Sequence, residues 1–546
     1  MITWLRTDDA HRLALPDEFW EAPDGVLAAH GRTLKSSAYH RTTHALPCAA
    51  GQTALVKRIE LCTLAERLKW RLKRSAPQTE WHLLAMLKNA GCPVPAPVAL
   101  GCERSGPSVR VWLVTEFIND AVTFDQMRPV CGAGEARAAA RSLARTVAAM
   151  HAAGVWHGDL HSGNLLYVRE ACAWFVTDLQ RAHLGRPGRH RLVGDLVQLQ
   201  HCLGKKVRLG VRLAFLKAYL DAYAQLTGTQ DELTGGEWKS LFDDIRARSR
   251  AYAIGQARRR AGRCEQDNRD FAGLAAWIGR HAVPHGFING WVVRTLSRQL
   301  LGDLLTLLAD ENWFLSGDVT LLKNTRSVAV GVWRHPQGTL FIKQYMFRNT
   351  LHDKILRAFK RSKAYRAWRR AWRLIHLHVP TPRPVMVVWT PRGGILVSEY
   401  LDGAITSEAA LRRLPGAARQ NERRALIRTV AAELAHLHDC AAEHGDLKAS
   451  NALVTGYAPG RFGVFFTDID AARFYTRIPW SRRVRDLARL HAALFPFAAD
   501  ADRRYFLRVY LSGISEALPV KALIAAIGDR AANKIMTKHG TRVRPG

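Results

Sequence analysis

Two short segments of the chain carry the same spaced set of carboxylate and amide side chains. One reads His157-Gly158-Asp159-Leu160-His161-Ser162-Gly163-Asn164, the other His444-Gly445-Asp446-Leu447-Lys448-Ala449-Ser450-Asn451. In each, an Asn stands five positions after an Asp. A second carboxylate follows 19 and 22 residues after the first, in Phe175-Val176-Thr177-Asp178 and Phe466-Thr467-Asp468. Phosphoryl transfer asks little covalent work of a protein. It needs a cation on the nucleotide phosphates, oxygens that hold Mg²⁺, and a carboxylate that orients the acceptor hydroxyl. Asp159 and Asp446 suit the acceptor carboxylate, while Asn164 with Asp178 and Asn451 with Asp468 suit the metal. Each residue alone has an ordinary structural reading, as a capping Asp or a turn Asn. The same spaced set, found twice, points to kinase chemistry.

The elements that must position these groups also recur. Ala54-Leu55-Val56-Lys57 and Leu340-Phe341-Ile342-Lys343 are apolar runs ending in Lys, as expected of buried strands. These lysines precede the loop Asp by 102 and 103 residues and suit the nucleotide phosphates. Glu80, in Thr79-Glu80-Trp81 on the predicted next helix, can hold Lys57 in place. Proline ladders Pro93-Val94-Pro95-Ala96-Pro97 and Pro380-Thr381-Pro382-Arg383-Pro384 mark rigid extended connections, because alternating prolines cannot be helix interior. The strand-like runs that follow end in Glu116-Phe117 and Glu399-Tyr400. Asp195 and Asp486, 17 and 18 residues past the second carboxylates, fit helix-borne braces for the loops. Landmarks in the same order at near-equal spacing define a duplicated domain. The expected boundary lies near 280–290, giving copies 1–285 and 286–546, with loop signals at Gly228, Gly235, Gly236 and Pro284 between them.

Composition agrees with a folded, multidomain chain. Of 546 residues 48% are hydrophobic and 9% aromatic, which excludes a disordered tail, and no run approaches the length of a membrane-spanning helix. Nine cysteines without a C-x-x-C pair indicate neither a disulfide framework nor a thiolate zinc site. The opening Met1-Ile2-Thr3-Trp4-Leu5-Arg6 lacks the shape of a secretion signal, and a reducing cytoplasm is the expectation. Against 47 Asp+Glu stand 80 Lys+Arg, a net charge of +33 that attracts polyanions. Basic residues cluster at Arg67, Lys69, Arg71, Lys73 and Arg74. They cluster again at Lys354, Arg357, Lys360, Arg361, Lys363, Arg366, Arg369, Arg370 and Arg373. Trp368 and Trp372 would share one helical face there, suited to a membrane surface, to RNA, or to a core. A nucleic-acid role has no motif of its own and ranks lowest.

The two loops and their spacing resemble the protein-kinase-like fold, and H-G-D-L-H-x-G-N is more typical of its small-molecule kinases than of protein kinases. Within that fold both copies most resemble the lipopolysaccharide core sugar kinases, which phosphorylate heptose or Kdo. Three features carry the match. They are the basic, Trp-containing helix leading into the ladders at Pro93 and Pro380, the H-G-D-L loop followed by Asp178-Leu179-Gln180-Arg181, and the helix with the bracing Asp. The resemblance implies an α+β chain of two tandem bilobal domains, each with a small β-rich N-lobe and a helical C-lobe. It further implies an ATP- and Mg²⁺-dependent kinase acting on a lipid-linked glycan or other anionic acceptor. Such an enzyme would be cytoplasmic or peripheral on the inner face of the cytoplasmic membrane, which the basic helices fit independently. Neither copy has G-x-G-x-x-G before its Lys. The candidate phosphate-covering turns are Lys35-Ser36-Ser37-Ala38 and Lys323-Asn324-Thr325-Arg326-Ser327, whose backbone N–H groups suit phosphate.

The copies differ at one expected partner. Aligned through the tryptophans, Ala367-Trp368 stands opposite Glu80-Trp81, and between Lys343 and Glu399 the one carboxylate is Asp353. The second copy therefore reads as weakened or regulatory, and the first as the active one. Two alternatives remain open at the level of sequence. One is a kinase acting on a protein or soluble small molecule, the other a tandem pseudokinase scaffold at a membrane surface.

Overall fold

The structure is a computed structural model that describes residues 2–6, 15–37, 41–105, 108–127, 132–186, 188–203, 207–228, 238–279, 289–347, 362–390, 393–414, 419–458, 461–516 and 518–539. Asp353, Lys354, Arg357, Lys360, Arg361, Ala38, Gly235, Gly236 and Pro284 lie outside these. Two units result, 1–252 and 253–546.

The first unit opens on an antiparallel sheet of β1 (Ile2–Arg6), β2 (Arg32–Ser37), β3 (Arg41–Pro47), β4 (Thr53–Leu61), β5 (Pro97–Ser105) and β6 (Ser108–Glu116), in the order β1-β5-β6-β4-β3-β2. Alternation along β4 sends Ala54 and Val56 to one face, where they pack with Phe19, Val98, Trp112 and Val114. Lys57, Ile59 and Leu61 point to the other face. Ile59 and Leu61 meet Trp81 of helix α1 (Ala76–Asn89) there, so the strand pleat itself aims Lys57 at the helix that carries Glu80. A Ser75/Gln78 capping box starts α1, with Ser75 Oγ donating to Gln78 Oε1 at 2.8 Å. The ladder from Pro93 joins α1 to β5 as expected.

The helical half of the unit is built from α2 (Ala133–Ala152), α3 (Arg189–Leu203) and α4 (Leu209–Thr227). Their apolar faces close one core around Leu143, Val147, Leu196, Leu216 and Tyr219. Helix α5 (Trp238–Ala261) follows, and the division between the units falls within it.

The first unit also has an antiparallel hairpin of β7 (Leu165–Val168) and β8 (Ala173–Val176). In the second unit β9 (Phe271–Gly273), β10 (Asn289–Val293), β11 (Val319–Thr325), β12 (Val328–His335), β13 (Gly338–Met346), β14 (Pro384–Thr390) and β15 (Gly393–Glu399) form a sheet ordered β9-β10-β14-β15-β13-β12-β11. Lys57 faces Leu113 across the sheet and Lys343 faces Leu396, so the two lysines hold the same place in register. Helix α6 (Lys363–His376) covers this sheet, and α7 (Gln420–Asp439), α8 (Trp480–Leu494) and α9 (Asp500–Gly513) build the helical half. Each unit thus has the β-rich and helical lobes of a kinase-like fold.

The units divide at 252/253, and β9 pairs with β10 in the second sheet, whereas the expected boundary stood near 280–290. Of the readings left open for Trp368 and Trp372, the core is the one observed. Trp368 is fully buried and gives its indole N–H to the Cys264 carbonyl at 3.2 Å, and both rings pack edge-on against Phe271. An apolar stripe looks alike in sequence whether lipid or a neighbouring strand covers it. Among the described residues no helix is long and apolar enough to cross a membrane.

Candidate active site

Lys57 Nζ lies 2.6 Å from Glu80 Oε1 and 3.7 Å from Asp178 Oδ1. Burial alone would lower the Lys57 pKa, but the carboxylates of Glu80 and Asp178 outweigh it and raise it, so the ammonium keeps its charge. Glu80 is buried, and its Oε2 has no hydrogen-bond partner among the described residues.

The loop that carries Asp159 is pinned from beneath. Asp195 on α3 accepts the His157 N–H at 2.6 Å and the Gly158 N–H at 2.9 Å, which is the bracing role expected of it. Gly158 has φ +71°, and a Cβ there would stand 2.7 Å from the Arg181 carbonyl oxygen, so the loop turns tightly only with glycine. His157 Nε2 lies 3.0 Å from the Thr177 carbonyl. Asn164 Nδ2 donates to the Asp159 carbonyl at 3.0 Å, which turns its side-chain oxygen the other way. The Thr177 N–H then donates to the Asn164 carbonyl at 3.0 Å, and the Val176 N–H to the Pro93 carbonyl at 3.1 Å. These bonds join the ladder, hairpin and loop, and place Asp178 beside Asn164 in a left-handed conformation of φ +59°. Lys57, Glu80, Asp159, Asn164 and Asp178 therefore meet in one site. Arg181 Nη1 stands 3.4 Å from Asp159 Oδ2. β2 and β3 make the hairpin that holds Lys35 and Ser36, and Arg41 at the start of β3 donates to Gln180 Oε1 at 3.2 Å.

The second unit repeats the frame. Asp486 accepts the His444 and Gly445 N–H groups at 2.7 and 3.0 Å, Asn451 Nδ2 donates to the Asp446 carbonyl at 2.9 Å, and Asp468 has φ +56°. Burial works against charge on Asp486, yet the hydrogen bond to His438 and the neighbouring His444 hold its carboxyl below the usual range. The electrostatics around the lysine differ. Lys343 Nζ lies 2.5 Å from Asp468 Oδ1, and the helix position that matches Glu80 holds the buried Ala367. Burial opposes the Lys343 charge, but Tyr345 and Asp468 raise its pKa. Burial works against the Asp468 charge as well, and Lys343 overcomes it and lowers that carboxyl's pKa. Asp470, where the first unit has Gln180, is pushed up by burial and by Asp468. The Asp446 carboxylate is held by Lys448 Nζ at 2.7 Å and Arg489 Nη1 at 2.9 Å.

Some supporting residues carry no local motif. His151 Nε2 lies 3.2 Å from Asp195 Oδ2 and its Nδ1 2.8 Å from the Tyr219 hydroxyl; His438, Asp486 and Tyr510 repeat this at 3.4 and 2.7 Å. The signal available was a second duplicated spacing, since His151 precedes His157 by six residues and His438 precedes His444 by six.

Two β-rich lobes, each carrying a lysine above an Asp/Asn loop and a left-handed Asp, define a kinase-like phosphotransferase built twice in one chain. The sequence profile of the lipopolysaccharide kinase (Kdo/WaaP) family matches residues 25–220 and 312–510, and the chain belongs to that family. Among solved structures, WaaP in complex with acyl carrier protein is 20% identical over 40% of this chain and 89% of its own, with a TM-score of 0.32. The amicoumacin kinase hAmiN in complex with AMP-PNP, Ca²⁺ and Ami is 13% identical over 44% of this chain and 87% of its own, with a TM-score of 0.30. Among curated proteins the sequence has no match.

Proposed function

We propose that the first unit transfers the γ-phosphoryl group of ATP to a sugar hydroxyl of a lipopolysaccharide-type glycolipid, at the inner face of the cytoplasmic membrane. The observation that carries this reading is the Lys57–Glu80 ion pair standing over Asp178. Lys57, held by Glu80, pairs with the nucleotide phosphates. Asp159 accepts the hydrogen bond of the acceptor hydroxyl and takes its proton as the new O–P bond forms and the bond from the γ-phosphorus to the departing ADP breaks. Asp178 and the Asn164 side-chain oxygen are hard donors that fit Mg²⁺. When bound, Mg²⁺ supplies charge neutralisation on the phosphates. Asp195 and Gly158 keep the loop in place throughout.

The second unit is the weaker or regulatory copy. Its lysine is paired with the metal-side Asp468 rather than with a helix carboxylate, and Asp446 is engaged by two cations. Labelled ATP, Mg²⁺ and lipid-extracted glycan, followed by separation of lipid from protein, test the proposal. Label in the lipid fraction that disappears with Asp159→Asn supports it. Label confined to protein assigns a different acceptor, and no transfer at all makes the chain a scaffold.

A further inference from the structure

Between β4 and α1 the chain inserts a short helix, Leu64–Arg71, that buries none of its residues. Its start is fixed by a Thr63/Glu66 capping box, with the Thr63 N–H donating to Glu66 Oε2 at 3.1 Å and the Glu66 N–H to Thr63 Oγ1 at 3.2 Å. At its end Lys73 takes a left-handed conformation, and the Lys73 and Arg74 N–H groups return to the carbonyls of Trp70 and Lys69 at 3.0 and 2.8 Å. The helix is thus well formed but mostly uncovered. Trp70 turns inward and packs beside the Ile59, Leu61 and Trp81 cluster. On the outward side Leu64, Leu68 and Leu72 are 80%, 58% and 57% exposed, spaced four apart on one stripe. Isolated exposed leucines are ordinary, but three in register are not. Arg71 and Lys69 flank the stripe, Lys73 and Arg74 follow it, and all four are exposed. The one acid, Glu66, is consumed by the cap.

We propose that Leu64, Leu68 and Leu72, framed by Lys69, Arg71, Lys73 and Arg74, form a ridge that seats the first unit on an anionic lipid bilayer. A convex apolar ridge needs no complementary groove to lie in the headgroup–acyl boundary, and flanking cations pair with lipid phosphates at that depth. Nucleic acid would leave the leucines unused, and an acidic protein would need a matching cleft for them. This surface differs from the buried Trp368 and Trp372. It deepens the membrane-face part of the proposed function and rests on that reading for the bilayer's relevance, while its chemistry is separately measurable.

The experiment uses the full chain and sedimentation with vesicles of phosphatidylglycerol and phosphatidylethanolamine, with phosphatidylcholine vesicles alongside. The wild type is expected to co-sediment with the anionic vesicles and far less with the neutral ones. Combined Leu64→Ser, Leu68→Ser and Leu72→Ser substitutions should lower the anionic-vesicle partition about tenfold or more. Lys69→Gln, Arg71→Gln, Lys73→Gln and Arg74→Gln together should do the same and remove the salt dependence. Both variants should melt like the wild type, because these side chains are exposed. Wild-type binding by the serine variant overturns the proposal, as does equal binding to neutral vesicles or none to either. Capture of an acidic protein by the ridge without vesicle binding also overturns it. Loss of phosphotransfer with vesicle binding intact would instead count against the kinase reading alone.

Discussion

Glu80 Oε1 sits 2.6 Å from Lys57 Nζ, and the equivalent lysine of the second unit, Lys343, finds its carboxylate at 2.5 Å on Asp468 instead. A lysine held from the helix side leaves the metal-side Asp available, whereas a lysine bound to that Asp competes with the cation for it. Glu80→Gln removes the charge while keeping the shape. Phosphotransfer by the first unit should then fall about 100-fold, because Lys57 would turn toward Asp178 as Lys343 turns toward Asp468. ADP release under saturating ATP measures it. An unaltered rate would show that the pair does not position the lysine.

The two loop carboxylates should respond unequally. Asp159→Asn removes the proposed proton acceptor and should cost about 10²–10⁴ in kcat with little change in nucleotide affinity. Asp446→Asn should leave the total rate near that of the wild type, since Lys448 and Arg489 already engage that carboxylate. Single-substitution proteins assayed with the same acceptor distinguish the copies. A larger loss from Asp446→Asn would make the second unit the active one.

Asp195→Ala should unfold the first unit earlier. The buried His157 N–H loses its acceptor, at about 1–3 kcal/mol, the more exposed Gly158 N–H loses its own at a smaller cost, and the His151–Tyr219 pair loses its anchor. A unit of this size should lose about 5 °C or more in its melting transition. Asp486→Ala should do the same to the second transition, given the matching bonds to His444 and Gly445. Calorimetry reads both. Identical melting curves would mean that the loops are held by something else.

Much of this site was legible because its groups sit on short loops whose spacing is fixed by local geometry. Asp159 to Asn164 is one turn, and Gly158 is demanded by a positive φ and a nearby carbonyl. The ladder was readable too, since proline constrains the backbone without reference to neighbours. His151 and Tyr219 were not, because 68 residues separate them and only the packing of α2 on α4 joins them. The Trp368/Trp372 stripe was ambiguous for a related reason, as the sequence does not say what covers a face. The division of the units lay hidden because it falls inside a continuous helix, with no Pro or Gly cluster to mark it.

His376 gives the second unit a defined acid sensitivity. Burial, reinforced by Arg260, His378 and Arg263 against the opposing Asp270, pulls its pKa down from 6.5 to about 4. The folded ring therefore binds a proton less readily than the unfolded one. Between about pH 6.5 and pH 4 the unfolded chain takes up the proton and the folded chain resists it. Stability from the neutral ring is complete above that window and is lost as the pH falls through it. Part of the ring reaches solvent, which reduces the effect to about 2 kcal/mol at the acid end. His438 and His444 are also lowered by burial and act in the same direction, so His376→Gln should reduce the acid sensitivity without abolishing it. Urea unfolding of both proteins across the window measures the difference, which should grow as the pH falls. A difference independent of pH would assign the sensitivity to other groups.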